Sequence, residues 1–533
     1  MPPDNRHRSA ARSYRSVWTT VFVLCVFQSA YAAAFIWRSS IVVEGTRYFC
    51  LFDDAMISMR YADNWARGLG WVWNAGERVE GYTNFGWTLL LGLLHLPGLS
   101  PSATCLLVQV IGVPVLWGCL YATAVLARAC RLLPAVAGAA LLSVAALYNL
   151  HYFTLLGMET GLLTLLVTLA LAAATRALRG DARAGLGAML WLAPALLIRS
   201  DVLILVVFVA GFLLVAGRRA RWPTLAGLGV VVVVLVAHTW WRHLYYGETA
   251  PNTYHLKLTG WPLERRLMAG LRHSFWTALQ YGVPVLLGLA ALIRARRWHL
   301  LVGGTLAVLV AYQVYCGGDA WPLNRFVLPA APAVLVLAAQ GALRASRLLI
   351  PDARTSLRLT VGGMLACLLA MHAASWPRWL LIEPPDMTGD NRMNVRYHVA
   401  LTRMADGRAT VAVGYAGTLP YYSRRYCVDL YGKCEPHIAR LPVTSSDRPG
   451  HNKMDLPYVI TQYQPDVILH AAFATTRPPL SDYYPVAVSI DGVEQMMYVR
   501  RASARVRGGR PLQAEEALRM WQEMTTAPGG TRD

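Results

Sequence analysis

Two adjacent carboxylates, Asp53 and Asp54, stand in Leu51-Phe52-Asp53-Asp54-Ala55, just beyond the first apolar run. They head a polar stretch that ends in Glu80-Gly81-Tyr82-Thr83-Asn84. Ionised groups beside a bilayer are costly unless they bind or react with something. On an outward-facing loop they would meet lipid-linked substrates and not cytosolic nucleotides. The chemistry then open to them is transfer of a sugar from a lipid phosphate. That reaction needs a base for the acceptor proton, cations for the departing phosphate, and a carboxylate near an oxocarbenium-like centre. Asp53 is the first candidate base and Asp54 the second. Residues 55–67 read as a helix with Gly68 as its stop, so one of the two acids could instead be its N-cap.

The elements that must position this pair are membrane spans. The chain has 533 residues, 55% hydrophobic and only 15% charged, and its mean hydropathy is +0.37. These values imply a polytopic membrane protein. A formal charge of +20 would suggest nucleic acid in a soluble chain, but here the basic residues cluster between apolar runs, so the charge reports topology and no nucleic-acid partner is expected. Arg6, Arg8, Arg12 and Arg15 precede an apolar run from Ser16 to Trp37. Ala30-Tyr31-Ala32 resembles a signal-peptide cleavage site, yet the run is long enough for a retained anchor.

Five later arginine clusters, beginning at Arg128, Arg176, Arg218, Arg294 and Arg344, are placed in the cytoplasm. They bound spans near 106–127, 134–151, 159–176, 185–199, 202–217, 224–243, 276–293, 299–316, 326–343 and 359–375. With the first, this gives about eleven helices, N-terminus inside and C-terminus outside, in the inner (plasma) membrane. Phe85–Leu96 is apolar but too short to span and reads as a helix dipping into the outer leaflet.

This topology gathers the interrupting polar residues on the outer side. Besides the acid pair they are Glu80, Tyr82 and Asn84, then Glu159, Arg199, Asp201, Glu248, Asn252, His255, Lys257, Asp319 and Arg325. Carboxylates and cations interleaved at one membrane face suggest a binding cavity. Arg199, His255, Lys257 and Arg325 are candidates for a lipid phosphate, because cations and arginine forks suit its oxygens. Plainer readings are internal ion pairs for Arg199–Asp201 and Asp319–Arg325, and an Arg78 partner for Glu80. Trp71 and Trp73 belong either to an aromatic belt or to a sugar platform. Arg265, Arg266 and Arg272 also fall outside, and read either as headgroup contacts or as phosphate ligands. Two acids could hold a divalent cation, but no ligand cluster with distinctive spacing supports a metal, and no cofactor is assigned.

From Trp376 the pattern changes, with Pro384-Pro385 marking a boundary. Val411–Gly414, Pro465–Leu469 and Val486–Ile490 read as buried strands, and the stretch after Arg500 as a helix with a loose tail. The domains expected are a transmembrane unit over 1–375, with its catalytic first outer loop at 38–84, and an extracytoplasmic α/β unit over 376–533. Cys427 and Cys434 lie in the latter, where a disulfide is open to them.

The run Asp53-Asp54-Ala55-Met56-Ile57-Ser58-Met59-Arg60-Tyr61 resembles the opening motif of certain GT-C class membrane glycosyltransferases. Asn74–Phe85, Gly157–Gly161, Tyr246–Thr253, Gly317-Gly318-Asp319 with Arg325-Phe326, Gly417–Tyr422 and Pro449–Lys453 are similar to further signatures, in the same order over nearly the whole chain. Among characterised families the chain resembles the terminal β-(1→2)-arabinofuranosyltransferases of mycobacterial cell walls. The resemblance implies a polyprenyl-phosphate arabinofuranose donor and a glycan or protein acceptor. The competing class is a transporter or flippase for lipid-linked sugars, which would often show internal repeats and broken helices; no repeat is found. A third is a non-catalytic glycan-binding scaffold.

Overall fold

The computed structural model describes residues 3–321, 323–443, 447–469 and 480–526. Helix α1 (Pro3–Ser39) leads into a hairpin of β1 (Ile41–Val43) and β2 (Thr46–Tyr48), then α2 (Asp53–Ala66) and α3 (Phe85–His95). The bundle continues with α4 (Pro101–Ala129), α5 (Pro134–Ala145), α6 (Tyr148–Leu155), α7 (Thr160–Leu178), α8 (Ala184–Ile198), α9 (Leu203–Ala216) and α10 (Arg221–Tyr246). After α11 (Asn252–Leu258) come α12 (Leu263–Ala290), α13 (Arg297–Tyr315), α14 (Ala331–Leu349) and α15 (Ala353–His372).

The ends obey local rules. Ser100 accepts the Ala103 N–H and Pro101 opens α4. Asp352 caps α15, and Gly247 closes α10 with φ 76°, a conformation that suits glycine.

All eleven expected runs are helical. Among the described residues eight helices are long and apolar enough to cross a membrane, or nine if α5 and α6, bent by 48°, form one span. Helices α8 and α9 have 15 and 14 residues. At about 1.5 Å per residue they fall short of a hydrocarbon core of about 30 Å. The chain is a multi-pass membrane protein. Most of the expected loop 244–275 is helical, since α11 covers Asn252–Leu258 and α12 starts at Leu263, within a candidate span of 31 residues that ends at Ile293.

The C-terminal part begins with α16 (Trp376–Trp379) and α17 (Met387–Met404). Then follow β3 (Val411–Val413), α18 (Thr418–Ser423), β4 (Cys427–Asp429), α19 (Pro436–Arg440), α20 (Leu456–Tyr463), β5 (Val467–Ile468), β6 (Tyr483–Ile490), β7 (Val493–Arg500), β8 (Arg510–Pro511) and α21 (Ala514–Thr526). The sheet order is β4-β3-β5-β7-β6-β8. Strand β3 is parallel to β4 and β5, and the rest are antiparallel. Asp491 and Gly492, both at positive φ, make the tight β6–β7 turn. Its core is Val411, Val413, Val467, Val486, Ile490 and Val499, all under 2% exposed. Cys427 and Cys434 are both free and buried, so the disulfide expectation is corrected. Cys427 lies 3.8 Å from Arg60 and Cys434 3.9 Å from the Tyr61 hydroxyl.

Candidate active site between the bundle and the sheet domain

Helix α2 starts two residues earlier than its sequence suggests, and neither aspartate caps it. The N-cap is Phe52, with no side-chain bond. Phe52 N–H donates to Leu156 O at 2.9 Å, and the Phe52 ring packs on Tyr152, Phe153 and Trp321. Tertiary packing therefore sets the boundary. Both acids occupy the first helical turn, where the macrodipole favours negative charge.

Their side chains diverge. Asp53 is 2% exposed, and its Oδ1 accepts the backbone N–H groups of Gly417 (3.1 Å) and Thr418 (3.3 Å) at the start of α18. Burial pushes its carboxyl up to about 7 against the opposing pull of Lys433, and the neighbouring Asp54 charge adds to the rise. Asp54 turns into an open cleft of about 740 Å³. Its Oδ1 meets Lys433 Nζ at 2.9 Å and its Oδ2 meets Arg325 Nη1 at 2.7 Å. Burial opposes its ionisation, but Lys433 and Arg325 outweigh it and hold the carboxyl well below the usual range. Of the two, Asp54 has access to the cleft, while Asp53 is sealed beneath α18.

Arg325 also forks onto Asp319 at 2.7 and 2.9 Å. A second network runs through the cleft. Ser58 donates to Asn84 (3.0 Å), Asn84 donates to Glu159 (3.0 Å), and Arg199 joins Glu159 (3.3 Å) to Asp201. Lys257 projects into the same cleft. Among the described residues its ammonium has no hydrogen-bond or ion-pair partner; the Phe326 ring lies 6.0 Å from it. Burial and the nearby Arg325 charge push its pKa down.

The other expected residues do not all converge. Tyr82 lines the cleft, with its hydroxyl 3.1 Å from that of Tyr246. Glu80 is buried against Arg242 at 2.6 Å, not Arg78, which lies over the Tyr245 ring. Asn252 is a support: its backbone N–H reaches Glu80 O, and its side chain donates to Gly432 O and Lys433 O at 2.9 and 3.0 Å. His255 stands outside the cleft lining beside Thr259 (3.2 Å). Glu248 is exposed and paired with Arg440. Outer-side position put Glu248 and His255 among the candidates, but sidedness does not fix convergence. Trp73 donates to Ala416 O and Trp71 stacks on Trp65, and neither lines the cleft. Arg265 and Arg272 face Asp447 at 2.6 and 3.9 Å, and Arg266 lies over the Tyr315 ring. Each of the three thus has a contact within the protein, and none of them lines the cleft.

The cleft also takes Lys433, Pro449, Gly450 and His451 from the C-terminal part, and Trp321 from the bundle. Sequence reasoning missed these, although Pro449–Lys453 was visible as a motif. Burial, with Lys433 and Arg448 nearby, holds His451 well below the usual imidazole value, so it is neutral. Lys453 Nζ donates to His255 O (3.0 Å), Thr259 O (2.6 Å) and Ala439 O (2.6 Å). It clamps α11, which carries Lys257. Among the described residues no three His, Cys, Asp or Glu gather as a metal-ligand group. A divalent cation would have to displace Arg325 and Lys433 from Asp54.

Residues 386–511 match a family model described as "Domain of unknown function (DUF8728)". Over 410 residues the chain is 26% identical to the terminal β-(1→2)-arabinofuranosyltransferase of Mycobacterium tuberculosis, a match spanning 65% of this chain and 60% of that relative's length. The structure of ArnT from Cupriavidus metallidurans bound to undecaprenyl phosphate gives a TM-score of 0.53 at 14% identity, covering 90% of this chain and 98% of that one. The apo oligosaccharyltransferase of Archaeoglobus fulgidus gives 0.52 at 10% identity, covering 96% and 78%. The fold of this chain is that of the GT-C membrane glycosyltransferases, with a C-terminal sheet domain.

Proposed function

We propose that the chain transfers a sugar from a polyprenyl-phosphate donor to an extracytoplasmic glycan or protein. The sequence relative favours arabinofuranose. The chain lies in the inner membrane, with the arginine clusters in the cytoplasm and both the cleft and the C-terminal domain (376–533) outside. The observation that carries the reading is Lys257, a cation without a partner among the described residues, in a cleft where Arg325 and Lys433 share one accessible carboxylate. A phosphate entering that cleft finds one cation ready and two that can turn toward it.

The same exchange serves the chemistry. As Arg325 and Lys433 engage the donor phosphate, Asp54 loses the charges that suppress its proton affinity. It then takes the proton of the acceptor hydroxyl. The acceptor oxygen forms its bond to the anomeric carbon while the bond from that carbon to the phosphate oxygen breaks. Polyprenyl phosphate leaves against the cations. Tyr82, Asn84 and Glu159 hold sugar hydroxyls, and Arg199 with Asp201 fixes Glu159. Asp53 anchors α18 and does not touch substrate.

The test is purified full-length protein in detergent with polyprenyl-phosphate arabinofuranose and an oligosaccharide acceptor. Transfer is expected. Asp54→Asn should lose about 10²–10⁴-fold in rate, while Asp53→Asn, which keeps an acceptor for Gly417 and Thr418, should stay active. Full activity in Asp54→Asn overturns its assignment as base. Movement of donor across liposomes with no product, for arabinofuranose and hexose donors alike, would overturn the transferase reading in favour of a transporter.

A further inference from the structure

The opposite end of the bundle carries a second charged cleft that the transfer chemistry does not use. Arg131 from the α4–α5 turn, Arg179 from the α7–α8 turn, and Arg296, Arg297 and Trp298 from the start of α13 line an opening of about 700 Å³, with no carboxylate in its described lining. Asp181, the acid on the α7–α8 turn, is engaged by Arg176.

The arginines divide into two kinds. Arg179 donates to Cys130 O at 3.1 Å and Arg297 donates to Ala216 O, so both are pinned to neighbouring turns. The guanidinium groups of Arg131 and Arg296 have no hydrogen-bond or ion-pair partner among the described residues. Arg131 also has φ 56°, a left-handed conformation that a non-glycine side chain adopts at some cost. The general enrichment of cytoplasmic arginine explains charge in each loop. It does not explain three loops converging on one cleft with no counter-charge among its described lining residues.

Depth identifies the ligand. Helices α7 and α13 each have 19 residues, about 28 Å at 1.5 Å per residue. Glu159 stands at one end of α7 and Arg179 at the other, while Arg297 opens α13 and Gly318 and Asp319 follow its end. The two clefts are therefore about one hydrocarbon thickness apart. If the catalytic cleft lies at one headgroup layer, the arginine cleft lies at the other. We propose that this cleft binds a phosphate ester, carried by the headgroup of an anionic lipid in the opposite leaflet. Paired arginine forks fit phosphate oxygens.

The test compares wild type with Arg131→Gln/Arg296→Gln, which removes the two unpartnered guanidiniums and leaves the pinned pair. Each single variant serves as well, should the double variant fold poorly. Native mass spectrometry of the detergent-purified chain measures retention of added phosphatidylglycerol against phosphatidylcholine, and a separate titration follows thermal stabilisation by inorganic pyrophosphate. Wild type should retain phosphatidylglycerol about tenfold or more better than the variant, with phosphatidylcholine unchanged. Stabilisation of wild type alone by pyrophosphate, with equal lipid retention, would keep a phosphate site but overturn its lipid source. Equal behaviour of wild type and variants toward both ligands would overturn the site, without touching the transfer reaction at the other end of the bundle.

Discussion

Replacing Lys257 by methionine removes a positive charge while keeping a side chain of similar length. In the resting protein little is lost, because the ammonium has no hydrogen-bond or ion-pair partner among the described residues, and repulsion from Arg325 opposes its attraction to Asp319 and Asp54. Stability should therefore stay within about 0.5 kcal/mol of wild type, or rise slightly. With donor bound, the variant lacks one charge-assisted hydrogen bond to phosphate, worth about 1.5–3 kcal/mol. At about 1.4 kcal/mol per factor of ten this is about a 10- to 150-fold loss in kcat/KM. A loss confined to KM would mean that Lys257 holds phosphate equally in ground and transition states; a fall in kcat would mean that it meets charge developing on the leaving group.

The assay is initial-rate sugar transfer over a donor titration, with a thermal melt of the same preparation and Lys257→Arg as the control that keeps the charge. Wild-type kcat/KM in Lys257→Met, or a melting shift that accounts for the lost activity, refutes the reasoning. Arg325 is a poorer probe. Removing it leaves Asp54 and Asp319 facing each other without their shared cation, at a cost of about 3–5 kcal/mol, and a lost fold would imitate a lost function.

Three further outcomes are expected. Asp53 has its carboxyl raised to about 7 by burial, so folding favours its protonated form. That contribution to stability is fully present below the usual carboxylate value of about 4 and is lost as pH rises through about 7. The melting temperature of wild type should then fall relative to Asp53→Asn between about pH 5 and pH 8, and a constant difference would contradict it. A Cβ at Gly417 would sit 2.2 Å from Asp53 O and 2.5 Å from its Oδ1, so Gly417→Ala should cost about 1–3 kcal/mol in a denaturant melt and weaken transfer. Alkaline phosphatase fused after Asp533 should be active if the C-terminal domain is outside, whereas an active cytosolic reporter at the same position would reverse the orientation.

The parts legible in the sequence were those with local causes. Long apolar runs announced the helices, and β-branched runs such as Val411-Ala412-Val413 announced the strands. The acid pair and Lys257 stood out because charge is rare in so apolar a chain. What the sequence hid were contacts between distant segments. Asp53 meets Gly417 364 positions away and Lys433 reaches Asp54 across 379, and no periodicity encodes either meeting. The start of α2 was misplaced for a related reason. A polar N-cap was expected from local rules, while the actual cap is Phe52, held by Leu156 and its aromatic neighbours. The arginines at 265 and 272 looked anomalous beside the membrane only because their partner, Asp447, lies far along the chain.

These long-range contacts also explain why two acids sit side by side. Helix α2 presents Asp53 to the sheet domain and Asp54 to the cleft, so one turn of helix both receives the domain and lines the cleft. The cations on Asp54 have different origins, Arg325 from the bundle and Lys433 from the sheet domain. Lys453 in turn binds two carbonyls around α11 to one in α19, setting Lys257 at the cleft wall. A bundle without its C-terminal domain would keep Arg325 and Lys257 but lose Lys433, the Asp53 anchor and the clamp on α11. Asp54 would then hold one cation in place of two. The charge balance around Asp54, on which the proposed phosphate exchange rests, is thus a property of the docked pair of domains, and neither part holds it alone.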